Sequence, residues 1–461
     1  ACTKNGKGYQ PGDAIKDNCN KCTCELYTQP YSRYEWQCTN HVCLIRPEII
    51  DAINDGPFTW KARNQSKLWG LTLDDGVRYR LGTFQLAQNV VDMTPIKVPV
   101  ETIPERFDAR EKWPGLIHPI TDQGNCGSSW AHSTTAVLAD RLSIETDGAI
   151  KDQLSVQHLL SCNTHFQTAC EGGHLDRAWW YLRKHGVVSE ECYPYTVPPP
   201  GVKPQCLISG ANPRCPSGRE YKVGKRFMST PPYRIRPSER EIMIEIMENG
   251  PVQAVMLVKE DFFLYSHGIY RYTNIVKRKN EPDKNLKSGV HSVRIIGWGV
   301  ERNFEGDIIK YWICANSWGT DWGEKGYFRI LRGGDESQIE DSVIGVWGRI
   351  SGDEALSTLL YANRRQRNRG RVSGDEALST LLYANRRQRN RNNPRGKRQL
   401  RARRGRRRQR REHAERHNLN KIESYMELEH NTGRKYRDFK SSKHRILTRK
   451  WNKNKKKLKK N

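Results

Sequence analysis

The chain has 461 residues and a formal net charge of +28, yet residues 349–461 hold 37 Lys and Arg against 10 Asp and Glu, a net of +27. The preceding 348 residues are therefore a nearly neutral body, long enough for two or three domains with substantial cores. No run of 18 apolar residues is present, which excludes a membrane-spanning helix, and thirteen cysteines, all before Asn316, point to an oxidising compartment.

The sequence opens at Ala1 with neither Met nor a leader, as expected of a processed or incomplete start in a secreted protein. Six cysteines crowd residues 1–43: Cys2, Cys19, Cys22, Cys24, Cys38 and Cys43. So short a piece, rich in Gly, Asn and Asp, buries too little to fold without cross-links. Its CxxCxC run with His41 nearby could bind zinc, but that needs reduced thiols and four convergent ligands, so disulfides are expected. The spacing resembles half of a von Willebrand factor type C module.

Residues 44–104 contain no cysteine. Ile49, Ile50 and Ile53 fall at helical spacing, after which the segment reads as extended. Asn64-Gln65-Ser66 is a glycosylation sequon, and "MTPIKVPVETIPERFD" reads as an extended connector. In residues 105–348, "SWAHSTTAVLADRLSIET" has a helical period. "PVQAVMLV", "HSVRIIGWG", "KYWICANSW" and "GYFRILRG" read as later strands. Helices first and strands afterwards predict an α+β domain in two halves.

A tandem repeat follows. The 22 residues 348–369 recur as 370–391, differing only at Ile350 and Val372. Each unit has a capping-box pattern, Ser351 with Glu354 and Ser373 with Glu376. Leu356, Leu359 and Leu360 then share one face of a short amphipathic helix, and two units are too few for a solenoid. Such near-identity fits a recent duplication or one exon read twice. Residues 392–461 hold too few apolar side chains to fold alone. Their arginine runs suit heparan sulfate or another acidic matrix chain, bound by counterion release. Arg395, Lys397 and Arg398 alternatively resemble a furin-type cleavage site that would remove most of the tail. Nucleic acid would suit the arginines but conflicts with the cysteine-rich body.

Three motifs carry the chemistry. "QGNCGSSW" supplies Gln123, Cys126 and Ser129, "GVHSVRIIGWG" supplies His291, and "ANSWGTDWGEKGYFRI" supplies Asn316 and Trp318. Together with "CEGG", which contains Gly172 and Gly173, this set and order resemble the papain family of cysteine peptidases (peptidase C1), the cathepsin B-like members most of all. The resemblance implies a papain-like two-lobed domain, with a helical left lobe and a β-barrel-like right lobe, over residues 105–348. Residues 44–104 look like that group's propeptide. It further implies that Gln123 and a backbone N–H receive an oxyanion, that Asn316 orients His291, and that Trp318, Gly172, Gly173 and Glu340 line the cleft, with Glu340 near the main specificity pocket. The implied disulfides are Cys126–Cys170, Cys162–Cys206 and Cys192–Cys215, leaving Cys314 unpaired in a strand.

The departure is Ser129, which stands where the family carries its nucleophilic cysteine. A helix N-terminus and a neighbouring imidazolium ionise a thiol. They leave a hydroxyl protonated, and asparagine does not support an imidazolium as aspartate does in serine hydrolases. With this serine, behind a small cysteine-rich module, the chain resembles non-catalytic members of the group. These are secreted glycoproteins of the extracellular matrix, with matrix proteins, cell-surface receptors or secreted ligands as partners. The alternative is an active peptidase working through Ser129. The segment after Tyr195 lacks the paired histidines of the cathepsin B occluding loop. The plainer readings are that His291, Asn316 and Trp318 persist as packed scaffold, and that His132 lies on the helix surface or in a pocket. His158, His165 and His174 show no ligand spacing, so neither a metal nor another cofactor is expected.

Overall fold

A computed structural model describes residues 1–28, 31–85, 102–199, 201–208, 214–218, 225–275, 288–303, 306–352 and 354–369. The rest of the Pro-rich connector, the second repeat unit, and the tail with Arg395, Lys397 and Arg398 lie outside these residues.

The N-terminal module is held by bridges rather than by a core. Cys2–Cys24, Cys19–Cys43 and Cys22–Cys38 are disulfides, so the thiols are unavailable to a metal. The buried cysteines Cys2, Cys22 and Cys24 occupy the place of an apolar interior. Three antiparallel strands, Ala14–Asp17, Asn20–Tyr27 and Arg33–Cys38, form its larger sheet, and Cys2–Lys4 pairs with Lys7–Tyr9 in a smaller one. Asn18 fastens the module to the next segment, donating to the Ile45 carbonyl (2.7 Å) and accepting from Gly70 N–H (3.1 Å).

The next segment begins with the expected helix, Pro47–Asp55. Pro47 occupies its first turn, where no amide hydrogen is needed, and Ile53 is buried. The extended piece that follows, Trp60–Ala62, adds a strand to the main sheet beside Tyr265–Tyr270. A second helix, Leu73–Arg80, has no apolar period that announces it. Thr72 and Asp75 cap it reciprocally: Asp75 N–H donates to Thr72 Oγ1 (3.1 Å), and Thr72 N–H donates to the Asp75 carboxylate (3.2 Å).

The main domain has two lobes. The helix Ser129–Glu145 is buried on almost every side and is the axis of the helical lobe, with Val156–Cys162 and Leu175–Lys184 packed around it. Its interior charges are paired, as burial demands: Asp140 with Arg294 (2.5 Å), and Arg141 with Glu245 (2.8 Å). In the other lobe, the strands Tyr265–Tyr270, Tyr327–Leu331, Ile308–Ala315, Gly289–Arg302, Val252–Val258, Val343–Gly345 and Tyr233–Arg234 follow one another across a single sheet. All four segments read as strands from the sequence lie in it. The disulfides Cys126–Cys170, Cys162–Cys206 and Cys192–Cys215 are those the resemblance implied, and Cys314 is free and buried in its strand.

The sequence places a boundary at residue 348, but there the structure runs on. Gly348–Ser351 is a strand paired with Arg226–Ser229, so Ser351 sits in a ladder opposite Arg226. The helix Glu354–Arg369 then lies on the helical lobe, with Leu360 and Ala362 buried. Arg364 reaches the buried Glu145 carboxylate (2.8 Å), and Asn363 donates to the Glu145 carbonyl (2.6 Å). The first repeat unit is thus part of the folded body, held by its strand, by buried Ile350 and Leu360, and by the counter-charge that Arg364 gives Glu145.

Candidate functional site

Ser129 is the first residue of the central helix, set there by the Cys126–Cys170 bridge and by Gly127 N–H donating to the Cys170 carbonyl (2.7 Å). His291 lies on Gly289–Arg302, and Asn316 directly follows Ile308–Ala315. Antiparallel pairing of these two strands brings the side chains together: His291 Nε2 is 2.8 Å from Asn316 Oδ1, which fixes the tautomer with the proton on Nε2. The Trp318 ring lies beside the imidazole, 5.2 Å between centroids, and stacks on Phe263. Gln123 is fully buried, its Oε1 accepting from Ser317 Oγ (2.6 Å). The residues that sequence placed around the nucleophile position therefore do converge.

Their chemistry is not that of an ion pair. Burial lowers the His291 pKa to about 4, only partly opposed by the Asn316 bond, so the imidazole is neutral at neutral pH. Its Nδ1 has no hydrogen-bond partner. The Ser129 hydroxyl is instead 2.8 Å from Thr83 Oγ1. Thr83 donates to Ser292 Oγ (3.0 Å), and Ser292 donates to the Ser129 carbonyl (3.1 Å). With Ser129 donating to Thr83, the three hydroxyls form a chain that closes back on the Ser129 carbonyl, and none of them bonds the imidazole. Ser133 also donates to the Ser129 carbonyl (2.8 Å), and Gln253 supports Ser133 (2.7 Å).

Thr83 belongs to the propeptide-like segment, whose residues 80–84 run through the cleft. Trp318 Nε1 donates to the Arg80 carbonyl (2.7 Å). Gln123 Nε2 and Ser129 N–H both approach the Leu81 carbonyl, each at 3.4 Å, so the oxyanion donors face a carbonyl of the same chain. Gly173 N–H donates to the Gly82 carbonyl (2.9 Å), Thr83 N–H to the Val290 carbonyl (3.2 Å) and Phe84 N–H to the Gly173 carbonyl (2.9 Å). Gly82 must be glycine: its φ is +99°, and a Cβ would lie 2.1 Å from the Gly127 carbonyl oxygen. Ser129 and His291 are wholly buried as a result. Sequence reading missed Thr83, Ser133 and Ser292. The only local signals were a hydroxyl beside His291 and another one turn after Ser129.

Glu340 requires a correction. Its carboxylate is buried and accepts from Trp312 Nε1 (2.8 Å) and from the amides of Gly333 (2.6 Å) and Asp335 (3.2 Å). Both oxygens are used inside the lobe, so it is not an acceptor for a basic side chain in the cleft. Gly173 lines the cleft through its backbone, while Gly172 packs against Phe84 and accepts from Thr168 Oγ1 (2.8 Å). His132 is buried, 2.9 Å from Thr121 Oγ1, and is a packed residue rather than a surface one. Asn64 is exposed.

Burial also holds His132 and His158 at about 3. The unfolded chain takes up these protons near pH ~6.5, the folded chain not until pH ~3–4. Stability contributed by the neutral rings is complete above pH ~6.5 and is lost as pH falls towards the folded values. Urea midpoints measured from pH 7 to 4 should fall steadily, whereas a flat profile would mean that the rings protonate in place.

A family model, "Papain family cysteine protease", matches residues 103–347. The chain is 46% identical over 364 residues to tubulointerstitial nephritis antigen-like of Mus musculus, covering 76% of each chain. It is 43% identical over 365 residues to tubulointerstitial nephritis antigen of Homo sapiens, covering 77% of this chain and 75% of that one. A solved procathepsin B from Trypanosoma congolense superposes with a TM-score of 0.55 at 29% identity, over 66% of this chain and 99% of that chain. With its two lobes, its bridges and the Gln123–His291–Asn316 arrangement, the chain belongs to the papain family, as a relative of tubulointerstitial nephritis antigen.

Proposed function

We propose that this chain is a secreted, non-proteolytic member of its family, with Ser129 in place of the nucleophilic cysteine, and that it acts by binding. The observation that carries the reading is the Ser129 hydroxyl. It is engaged by Thr83, and no hydrogen bond joins it to the imidazole that would have to take its proton, whose Nδ1 is without a partner. Nucleophilic catalysis needs a nucleophile and a base in contact. Assay with peptide substrates is the test: the parent chain should show no turnover above background. Robust turnover that disappears in Ser129→Ala would overturn the proposal and favour the active-serine reading, to which the intact oxyanion donors lend support.

Six disulfides and an exposed Asn64 sequon support an extracellular setting as a glycoprotein. Among the described residues no helix is long and apolar enough to cross a membrane. With the cleft filled, partners among matrix proteins, receptors or secreted ligands would meet the outer surface. The basic residues beyond the body would add heparan sulfate. A chain ended at Arg369 should leave a heparin column at clearly lower salt than the full chain, and equal elution would remove the tail from the reading.

A further inference from the structure

We propose that Ser129 has a positive role: it is the residue on which the chain's own residues 80–84 dock, and its hydroxyl makes them a permanent occupant of the cleft. The inference rests on the non-proteolytic reading and deepens it, since it names what the cleft binds.

Three features of the site lead there. The contact from Ser129 Oγ to Thr83 Oγ1 is 2.8 Å, a hydroxyl–hydroxyl distance. Sulfur is larger and a weaker donor, so a thiol at position 129 would push Thr83 out of that chain of hydroxyls. Next, every hydroxyl hydrogen of the Ser129–Thr83–Ser292 chain has an acceptor, and all three residues are buried. A satisfied polar network away from water strengthens its members, and removing one member leaves the others costly to bury. Finally, the bonds from Trp318, Gln123, Gly173 and the Ser129 amide to residues 80–84 would form with many backbones. The Thr83 hydroxyl, by contrast, is read by side chains, those of Ser129 and Ser292, and of the two Ser129 is the one at the nucleophile position. Thr83 is thus the specificity element of the occupant, and Ser129 a positioning residue for it.

The test uses the full chain with a site for a sequence-specific protease inserted between residues 86 and 101. After cutting, dissociation of the N-terminal fragment is followed by size-exclusion chromatography over time. The cut parent should retain its fragment. Thr83→Val and Ser129→Ala should each speed release about tenfold, as loss of one buried hydrogen bond implies. The double variant should be little faster than either alone, and Thr83→Ser, which keeps the hydroxyl, should restore retention. Release rates within twofold of the parent in both single variants would overturn the proposal, as would fully multiplicative effects in the double variant. Peptide turnover by the same cut proteins reads the other question independently: turnover lost in Ser129→Ala would refute the non-proteolytic reading whatever the release rates.

Discussion

A chain ended at Trp347 is expected to melt about 10–20 °C below a chain ended at Arg369. The longer one keeps the strand Gly348–Ser351 and the helix that covers the end of the central helix. The shorter one uncovers the helical-lobe surface on which Ile350 and Leu360 lie, and it leaves Glu145, 1% exposed, without either Arg364 or the Gly348 amide. Burial already raises the Glu145 pKa, and those two groups, with a smaller share from Arg141, oppose it. Breaking a buried pair from one side costs about 3–5 kcal/mol, and the lost apolar cover adds to it. For a body of this size each kcal/mol is worth roughly 2–4 °C. Thermal melts of the two chains decide the matter; equal midpoints would mean that the first repeat unit is ornament.

Opening the cleft should be the other large effect. Ser129→Cys in the intact chain is expected to react only slowly with thiol-directed epoxides, because the bonds from Trp318 and Gly173 still tether residues 80–84 over position 129 when the Thr83 side chain is displaced. Adding Gly82→Ala should change that. The new methyl meets the Gly127 carbonyl oxygen at 2.1 Å, and φ of +99° is strained for any L-residue, together worth at least ~3 kcal/mol. Residues 80–84 should lift away while the strand Trp60–Ala62 stays paired, and labelling of Cys at position 129 should rise at least tenfold. Mass spectrometry of the labelled peptide measures it, and equal labelling in the two variants would show that residues 80–84 do not govern access.

The parts of this molecule legible in the sequence were those whose signals are local or shared across a family. The central helix lies where the sequence reading put it, although burial on almost every side leaves it no apolar stripe; the strands show in their branched and aromatic runs, and the bridges of the main domain in the family resemblance. The helix Leu73–Arg80 did not show, because it is held by a capping pair and tertiary contact instead of an apolar stripe. Thr83 was invisible as a site residue for a stronger reason: its two hydroxyl partners are 46 and 209 positions away. Glu340 was assigned by analogy to the cleft, but the neighbouring Gly333–Asp335 turn and Trp312 take up its carboxylate. The first repeat unit was legible in part: its leucines predict a short amphipathic helix, and the helix Glu354–Arg369 is there. Where that helix lies was not legible, because buried Ile350 and Leu360 and the Arg364–Glu145 pair, 219 positions apart in the chain, hold it to the helical lobe.

The pairing of Trp60–Ala62 with Tyr265–Tyr270 has one more consequence. That three-residue strand is the last of the sheet on its side, short enough to offer little to a neighbour. Beneath it lies a six-residue strand whose unpaired rim, with Trp60 gone from its seat against Tyr270, would be a template for other chains. A body stripped of its N-terminal segment would thus tend to associate edge to edge. Keeping the segment keeps that rim covered.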